Sequence, residues 1–160
     1  TLNITKKIVI DFPDVGNLSE VSIAWRYPLL AAAADYYANA AMTYAKNLMI
    51  DNEMANAIQH AYWTALIASD PLFGPEYALW VTTAHEYSNR HRDEALAFDS
   101  VMDLHNNLVG SRTAYTSPDG QIEVGRIKQA LNTKLNAGEL WIINSKTSMV
   151  ERSNNQKIYP

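Results

Sequence analysis

The fold is decided by residues 28–50, which read PLLAAAADYYANAAMTYAKNLMI. This stretch contains eight alanines, and alanine has the highest intrinsic helix propensity of the common residues. We therefore predict one long helix here. Its small side chains allow neighbouring helices to approach closely.

Four further helices are predicted along the rest of the chain. Their ends are indicated by capping residues, by the helix break at residues 70–74 and by a C-terminal glycine. The second helix follows Asp51 or Asn52 and runs to about Ser69, and the third begins at Pro75. The fourth and fifth helices are predicted over residues 93–112 and 121–136.

A minor β-ribbon is predicted from the two termini. Residues 140–143, Leu-Trp-Ile-Ile, could return to pair with residues 8–10, Ile-Val-Ile. Two strands alone form only a small ribbon. The chain of 160 residues is therefore predicted to be a single all-α domain, 1–160, of four to five helices. Its site-bearing core covers about residues 51–112, and residues 121–145 form the C-terminal helix and strand.

Composition and charge exclude several kinds of function. The absence of cysteine excludes disulfides, thiolate zinc sites and cysteine nucleophiles. Residues 51–110 carry nine acids against Arg90 and Arg92. This distribution argues against a nucleic-acid partner, because phosphate binding depends on clustered lysine and arginine.

A polar stripe runs along the second predicted helix. Glu53, Asn56 and Thr64 lie within about 40° of His60 at 100° per residue. An exposed helix face usually carries lysine and glutamate, which favour helix and stay hydrated. Asparagine, histidine and threonine make directed hydrogen bonds, so this stripe indicates a polar cavity.

The third and fourth helices each add a histidine. On the third, His85 and Glu86 share one side with Thr82. On the fourth, His105 projects from an apolar face formed by Val101, Leu104 and Leu108, and Asp103 lies about 160° away. We expect that face to be buried, with His60 or Glu86 as the partner of His105, because an unsatisfied buried polar group is costly.

These three faces predict one functional site. The candidate catalytic residues are His60, His85, Glu86 and His105, and the candidate substrate-binding or orienting residues are Asn56, Asp103, Asn106 and Asn107. His60, His85 and His105 could bind a divalent metal ion such as Zn or Ca, with Glu86 or Asp103 completing the ligand set. A metal-free site would instead use a histidine as general base. Both mechanisms stay open.

Two familiar hydrolase motifs are absent. No histidine stands four residues after His85, as the metalloprotease helix requires. There is also no Gly-x-Ser-x-Gly turn to present a serine nucleophile.

Five short motifs within residues 51–110 point to a family. They are Asp51-Asn52, Ala55-Asn56-Ala57, His60-Ala61-Tyr62-Trp63, Ala84-His85-Glu86 and Met102-Asp103-Leu104-His105-Asn106-Asn107-Leu108-Val109-Gly110. Together they resemble a bacterial domain of unknown function that recurs in secreted, cell-surface and toxin-like proteins. The resemblance implies a secreted or cell-surface location, contact with a membrane surface or cell wall, and a cognate immunity protein as partner. It supplies no reaction.

A second resemblance concerns His85-Glu86-Tyr87-Ser88-Asn89-Arg90. This segment is similar to the His-Asp-aromatic-small-x-Arg helix of small prokaryotic phospholipases A2, which are helical and use a His/Asp dyad with calcium. The chain departs from that family because it lacks the disulfide cysteines and a clear glycine-rich calcium loop.

The predicted function is an exported bacterial effector or toxin-type hydrolase. Its substrate would be a lipid, a cell-wall component or a small ester. One alternative is a non-enzymatic binding or surface module whose polar cluster is a structural network. Another is a toxin of phospholipase A2 or nuclease type, and a nuclease would require Arg90, Arg92 and Arg112 to converge. An enzyme should place its histidines along a cleft, whereas a structural network should be closed.

Overall fold

Five helices and one hairpin make up the described part of the molecule. The computed structural model describes residues 23–24, 26–89, 96–155 and 158. Its elements are α1 (Pro28–Asn47), α2 (Asn52–Ser69), α3 (Gly74–Asn89), α4 (Leu96–Ser111), α5 (Val124–Ala137), β1 (Trp141–Asn144) and β2 (Met149–Arg152). The predicted all-α fold with a minor β-ribbon is confirmed. None of the described helices combines the length and apolarity needed to cross a bilayer.

The helix ends follow from local sequence. The Asp51 carboxylate accepts a hydrogen bond of 2.9 Å from the Met54 amide and caps α2. Gly138 ends α5 in the left-handed conformation, with φ of 76°, which favours glycine. Residues 93–95, which the prediction assigned to the start of α4, lie outside the described residues.

The ribbon is a C-terminal hairpin held against α4. β1 and β2 pair antiparallel, with Trp141 opposite Arg152. Residues 8–10, the predicted partner of β1, lie outside the described residues. Asn106 donates to the Trp141 carbonyl and accepts from the Trp141 amide, both at 2.9 Å. Its side chain therefore hydrogen-bonds β1 as a neighbouring strand would.

Helix α2 lies at the centre of the core and contacts α1, α3, α4 and α5. The Trp63 indole nitrogen donates to the Ala34 carbonyl at 2.7 Å and joins α2 to α1. On the other side Gly110 of α4 packs directly on the Ala61 backbone, where a Cβ atom would overlap the carbonyl. These contacts place His60 of α2 among α1, α3 and α4.

The predicted orientation of α4 is wrong. Val101, expected to be buried, is 46% exposed, whereas Asp103 is 8% exposed. The buried side of α4 carries Met102, Asp103, Asn106, Asn107 and Gly110. Small and amide side chains can occupy this interface because glycine permits close approach and the polar groups bond across it.

Candidate functional site

The centre of the site is the His60 imidazole between two carboxyl groups. His60 Nδ1 lies 3.5 Å from Glu86 Oε1, and Nε2 lies 3.4 Å from Asp103 Oδ1. The three side chains are 12%, 4% and 11% exposed. They form a buried His/Glu/Asp triad whose ligand atoms all lie within 4.8 Å of one another. Both separations exceed the usual N–H···O distance, so neither carboxyl group holds the ring in a tight hydrogen bond.

Amide and hydroxyl groups surround the triad on the α4 side. Asn56 Nδ2 donates to Asp103 Oδ1 at 3.4 Å. Thr64 Oγ1 donates to Asn107 Oδ1 at 3.0 Å, and both residues are fully buried. Asn107 also contacts the His60 side chain. Asn56, Thr64 and Asn107 thus extend the polar cluster of the triad between α2 and α4.

Burial shifts the proton affinities of His60 and Asp103 in opposite directions. Desolvation lowers the pKa of His60 to about 4; nearby His85 lowers it as well, whereas the contact with Asn107 raises it. Desolvation raises the pKa of Asp103 to about 7; nearby Asp99 raises it as well, whereas Asn56 lowers it. At neutral pH His60 is uncharged and able to accept a proton, and Asp103 titrates near neutrality.

On its other side the triad borders a cavity of about 420 Å³ between α1, α2 and α3. The polar lining includes His60, His85, Gln59 and Asp35. The apolar lining includes Ala31, Ala34 and Ala38 of α1 together with Ile23, Trp63 and Val81. This volume lies within the ~300–1,000 Å³ range of small-molecule pockets.

Most of the sequence-predicted residues meet here, but two do not. His60, Glu86, Asp103, Asn56 and Asn107 form one cluster, and His85 lines the same cavity. His105 instead stacks on Trp141, with ring centroids 3.8 Å apart, and its Nε2 lies 2.8 Å from the Glu139 carbonyl oxygen. Asn106 likewise bonds to Trp141.

The expected partner of His105 is therefore corrected. Helical periodicity put His105 and Asp103 on opposite sides of α4, and the structure agrees. Asp103, however, is the residue of this pair that contacts His60, while His105 packs on Trp141 of the hairpin. A ligand set of His60, His85 and His105 is not brought together.

Most of the chain matches a known protein family. The family described as "Domain of unknown function (DUF6973)" matches residues 21–139, a range that contains all five helices. The chain belongs to the DUF6973 family. The predicted membership of a domain of unknown function is thus confirmed. No curated protein and no solved structure matches the chain.

Three residues of the candidate site were missed by sequence reasoning: Asp35, Gln59 and Trp63, which all line the cavity. Asp35 offered a signal, because it is the only charged residue between Pro28 and Ala45. Trp63 belongs to the motif His60-Ala61-Tyr62-Trp63, but a tryptophan, like Gln59, is not unusual in a packed helix, so neither residue was assigned to the site.

The phospholipase and nuclease alternatives depend on particular arginines, and the described residues add no support for either. Arg90, which ends the phospholipase-like motif, and Arg92 lie outside the described residues. Arg112 is exposed just after the end of α4.

Removing either half of the His60–Asp103 pair is expected to change how stability depends on pH. The pKa of Asp103 is about 7 in the folded protein and 3.8 in the unfolded chain. Its contribution to the free energy of unfolding is therefore complete below pH 3.8 and is lost as the pH rises to about 7. The pKa of His60 is about 4 in the folded protein and 6.5 in the unfolded chain. Its contribution to the free energy of unfolding is therefore present above pH 6.5 and is lost as the pH falls to about 4. In the wild type these slopes oppose each other.

In His60→Gln, stability should therefore fall with rising pH, relative to wild type, by up to ~1.4 kcal/mol per pH unit. In Asp103→Asn it should rise with pH by a similar amount. Urea unfolding with a chelator at about pH 4.5, 5.5 and 6.5 measures both slopes. Identical slopes in all three proteins would contradict the assignment.

Proposed function

We propose that this DUF6973 domain is a hydrolase of small esters or lipids that works in the cavity beside His60. One observation supports the proposal: alanines of α1 and the two histidines His60 and His85 line the same cavity. An acyl chain suits the alanines, and the ester group suits the histidines. The assignment to exported bacterial effectors or toxins is supported by the motifs that resemble secreted and toxin-like proteins.

In the proposed reaction His60 is the general base. It takes a proton from water as the water oxygen adds to the ester carbonyl carbon. The bond from that carbon to the alcohol oxygen then breaks, and the proton returns to the departing alcohol. Glu86 at Nδ1 or Asp103 at Nε2 stabilises the imidazolium that forms, as the buried carboxylate does in a catalytic triad, and the other ring nitrogen takes up the proton.

Other polar residues have supporting roles in this reaction. Gln59 and His85 line the same cavity and can donate hydrogen bonds to the oxyanion of the tetrahedral intermediate. Asn56 and Asn107 are positioning residues, since one contacts Asp103 and the other contacts His60.

A metal-dependent form of the reaction would use the same triad. His60, Glu86 and Asp103 would hold the ion through one nitrogen and carboxylate oxygens, a donor set that suits Zn and, through its oxygens, Ca. The ion would supply a bound water of lowered pKa. Metal content after purification without chelator, and activity with and without EDTA, separate the two forms.

A non-enzymatic module is the second candidate function. Thr64 and Asn107 of the cluster are fully buried, as is expected of a structural polar network. In that case the cluster fixes helix registry, and its loss lowers stability instead of activity.

Acyl-chain preference tests the hydrolase directly. Ala38 lines the cavity, so Ala38→Leu should shorten the space available to the acyl chain. Among p-nitrophenyl acetate, butyrate and octanoate, we expect the octanoate-to-acetate ratio of kcat/KM to fall about tenfold. Ala40→Leu is the control, because Ala40 is exposed on the same helix and is not part of the cavity wall. Failure to hydrolyse any of these esters, or an equal effect of both variants, would contradict the proposal.

A further inference from the structure

We propose that the cavity beside His60 recognises substrates with a positively charged amine or quaternary ammonium group, and that Asp35 and Trp63 bind this group. The inference adds a substrate class to the proposed function, and it rests on that function for the claim that the substrate is an ester. Its cation-binding part depends only on the cavity. The substrate class is therefore an ester of an amino or quaternary ammonium alcohol.

The charge of the cavity lining is the first observation that supports a cation site. Apart from the two histidines, Asp35 is the only ionisable side chain among the described residues of the lining. Two ion pairs between described residues involve a lysine or arginine, Arg126–Glu123 and Lys134–Glu139, and neither includes Asp35. Asp35 is exposed and can meet an incoming ligand. Such a lining opposes an anionic group and attracts a cation.

The charges behind the lining act in the same direction. Glu86 Oε1 lies 3.5 Å from His60 Nδ1 and Asp103 Oδ1 lies 3.4 Å from His60 Nε2, and neither carboxyl group is part of the cavity lining. Among the described residues of the lining, apart from its two histidines, a phosphate or carboxylate group would meet one ionisable side chain, the carboxylate of Asp35.

Trp63 supplies an independent second feature. Its indole nitrogen donates to the Ala34 carbonyl, and its ring meets the His85 ring edge-on at 5.3 Å, so its orientation is fixed. The indole is also part of the cavity wall. Tryptophan is the aromatic residue that binds cations best, and quaternary ammonium groups are typical ligands of such rings.

The two features define how a substrate would lie. The ammonium group would contact Asp35 and Trp63, and the ester carbonyl would lie toward His60 and His85 in the same cavity. The acyl chain would then follow the alanines of α1.

Binding of choline and of its uncharged isostere 3,3-dimethylbutan-1-ol tests the cation site without turnover. NMR titration should show choline binding at least about fivefold more tightly than the isostere, from the ion pair and the aromatic contact. In Asp35→Asn that preference should fall to about twofold or less. Glu76→Gln is the control, because it removes one acid from α3 outside the cavity lining and should leave the preference unchanged.

The outcomes separate the inference from the proposed function. Equal affinity for the two compounds, or an unchanged preference in Asp35→Asn, overturns the cation site. Turnover is then measured with butyrylcholine and 3,3-dimethylbutyl butyrate. A choline preference that depends on Asp35, without hydrolysis of either ester, supports the cation site and overturns the hydrolase.

Discussion

Gly110→Ala is expected to lower the free energy of unfolding by about 3 kcal/mol, the upper end for overpacked cores. The added Cβ atom would overlap the Ala61 backbone carbonyl of α2. Backbone atoms cannot rotate away as a flexible side chain can, so α2 and α4 must separate. That separation also leaves fewer packing contacts between the two helices.

Gly125→Ala is the matched control for this change. Gly125 is exposed on α5, and a Cβ atom there meets nothing within 4 Å. Alanine should therefore stabilise the protein by about 0.5–1 kcal/mol through helix propensity alone. Urea unfolding of both variants gives the comparison. A loss below about 1 kcal/mol in Gly110→Ala would show that the α2–α4 contact is looser than described.

The same substitution bears on the site. Asp103 reaches His60 only because α4 lies close against α2 at Gly110. We expect any folded fraction of Gly110→Ala to have an altered Asp103–His60 distance and reduced activity.

His60→Gln is expected to lower kcat/KM for ester hydrolysis by about 10²–10⁴-fold, the usual contribution of a general base. Glutamine keeps a polar group in the network but cannot take up the proton. The free energy of unfolding near neutral pH should change by less than about 1 kcal/mol, because the His60 nitrogens make no tight hydrogen bonds to the carboxyl groups.

His105→Gln is the control for His60→Gln. It makes the same replacement at a histidine that packs on Trp141 away from the cavity. We expect it to keep near wild-type kcat/KM and to lose about 1 kcal/mol of stability, since the stacked ring is removed. If His60→Gln instead lowers the melting temperature strongly and leaves kcat/KM unchanged, the polar cluster is a structural network.

Local signals in the sequence were sufficient to predict where the helices begin and end. Asp51, Pro28 and Gly138 mark helix ends through their own backbone and side-chain chemistry, so α1, α2 and α5 end close to where they were predicted. The polar stripe of α2 also predicted that His60 would face other polar groups, because helical periodicity depends only on residue spacing.

The side of α4 that faces the core depended on information from elsewhere in the chain. Leu104 and Leu108 favoured one side by hydrophobicity, yet Gly110 and Asn107 occupy the interface with α2. Tertiary contacts decide this choice: Ala61 needs a glycine opposite it, and Asn106 needs the backbone of β1. Neither partner can be identified from the sequence of α4 alone.

The cavity was equally hidden in the sequence. Ala31, Ala34 and Ala38 have the spacing of residues that pack against a neighbouring helix. In the structure they line open volume beside His60. An alanine in the sequence does not show whether its small side chain packs against a neighbouring helix or borders a cavity. Only the positions of α2 and α3 decide between the two.

The central claim is that the cavity at His60 and His85 is the ligand site and that the surroundings of His105 are not. Its most direct test is NMR of the ¹⁵N-labelled histidine rings during titration with butyramide, an uncharged analogue of a butyryl ester. The account predicts that the His60 and His85 resonances shift together and saturate while those of His105 stay unchanged. Shifts at His105 with none at His60 would contradict it.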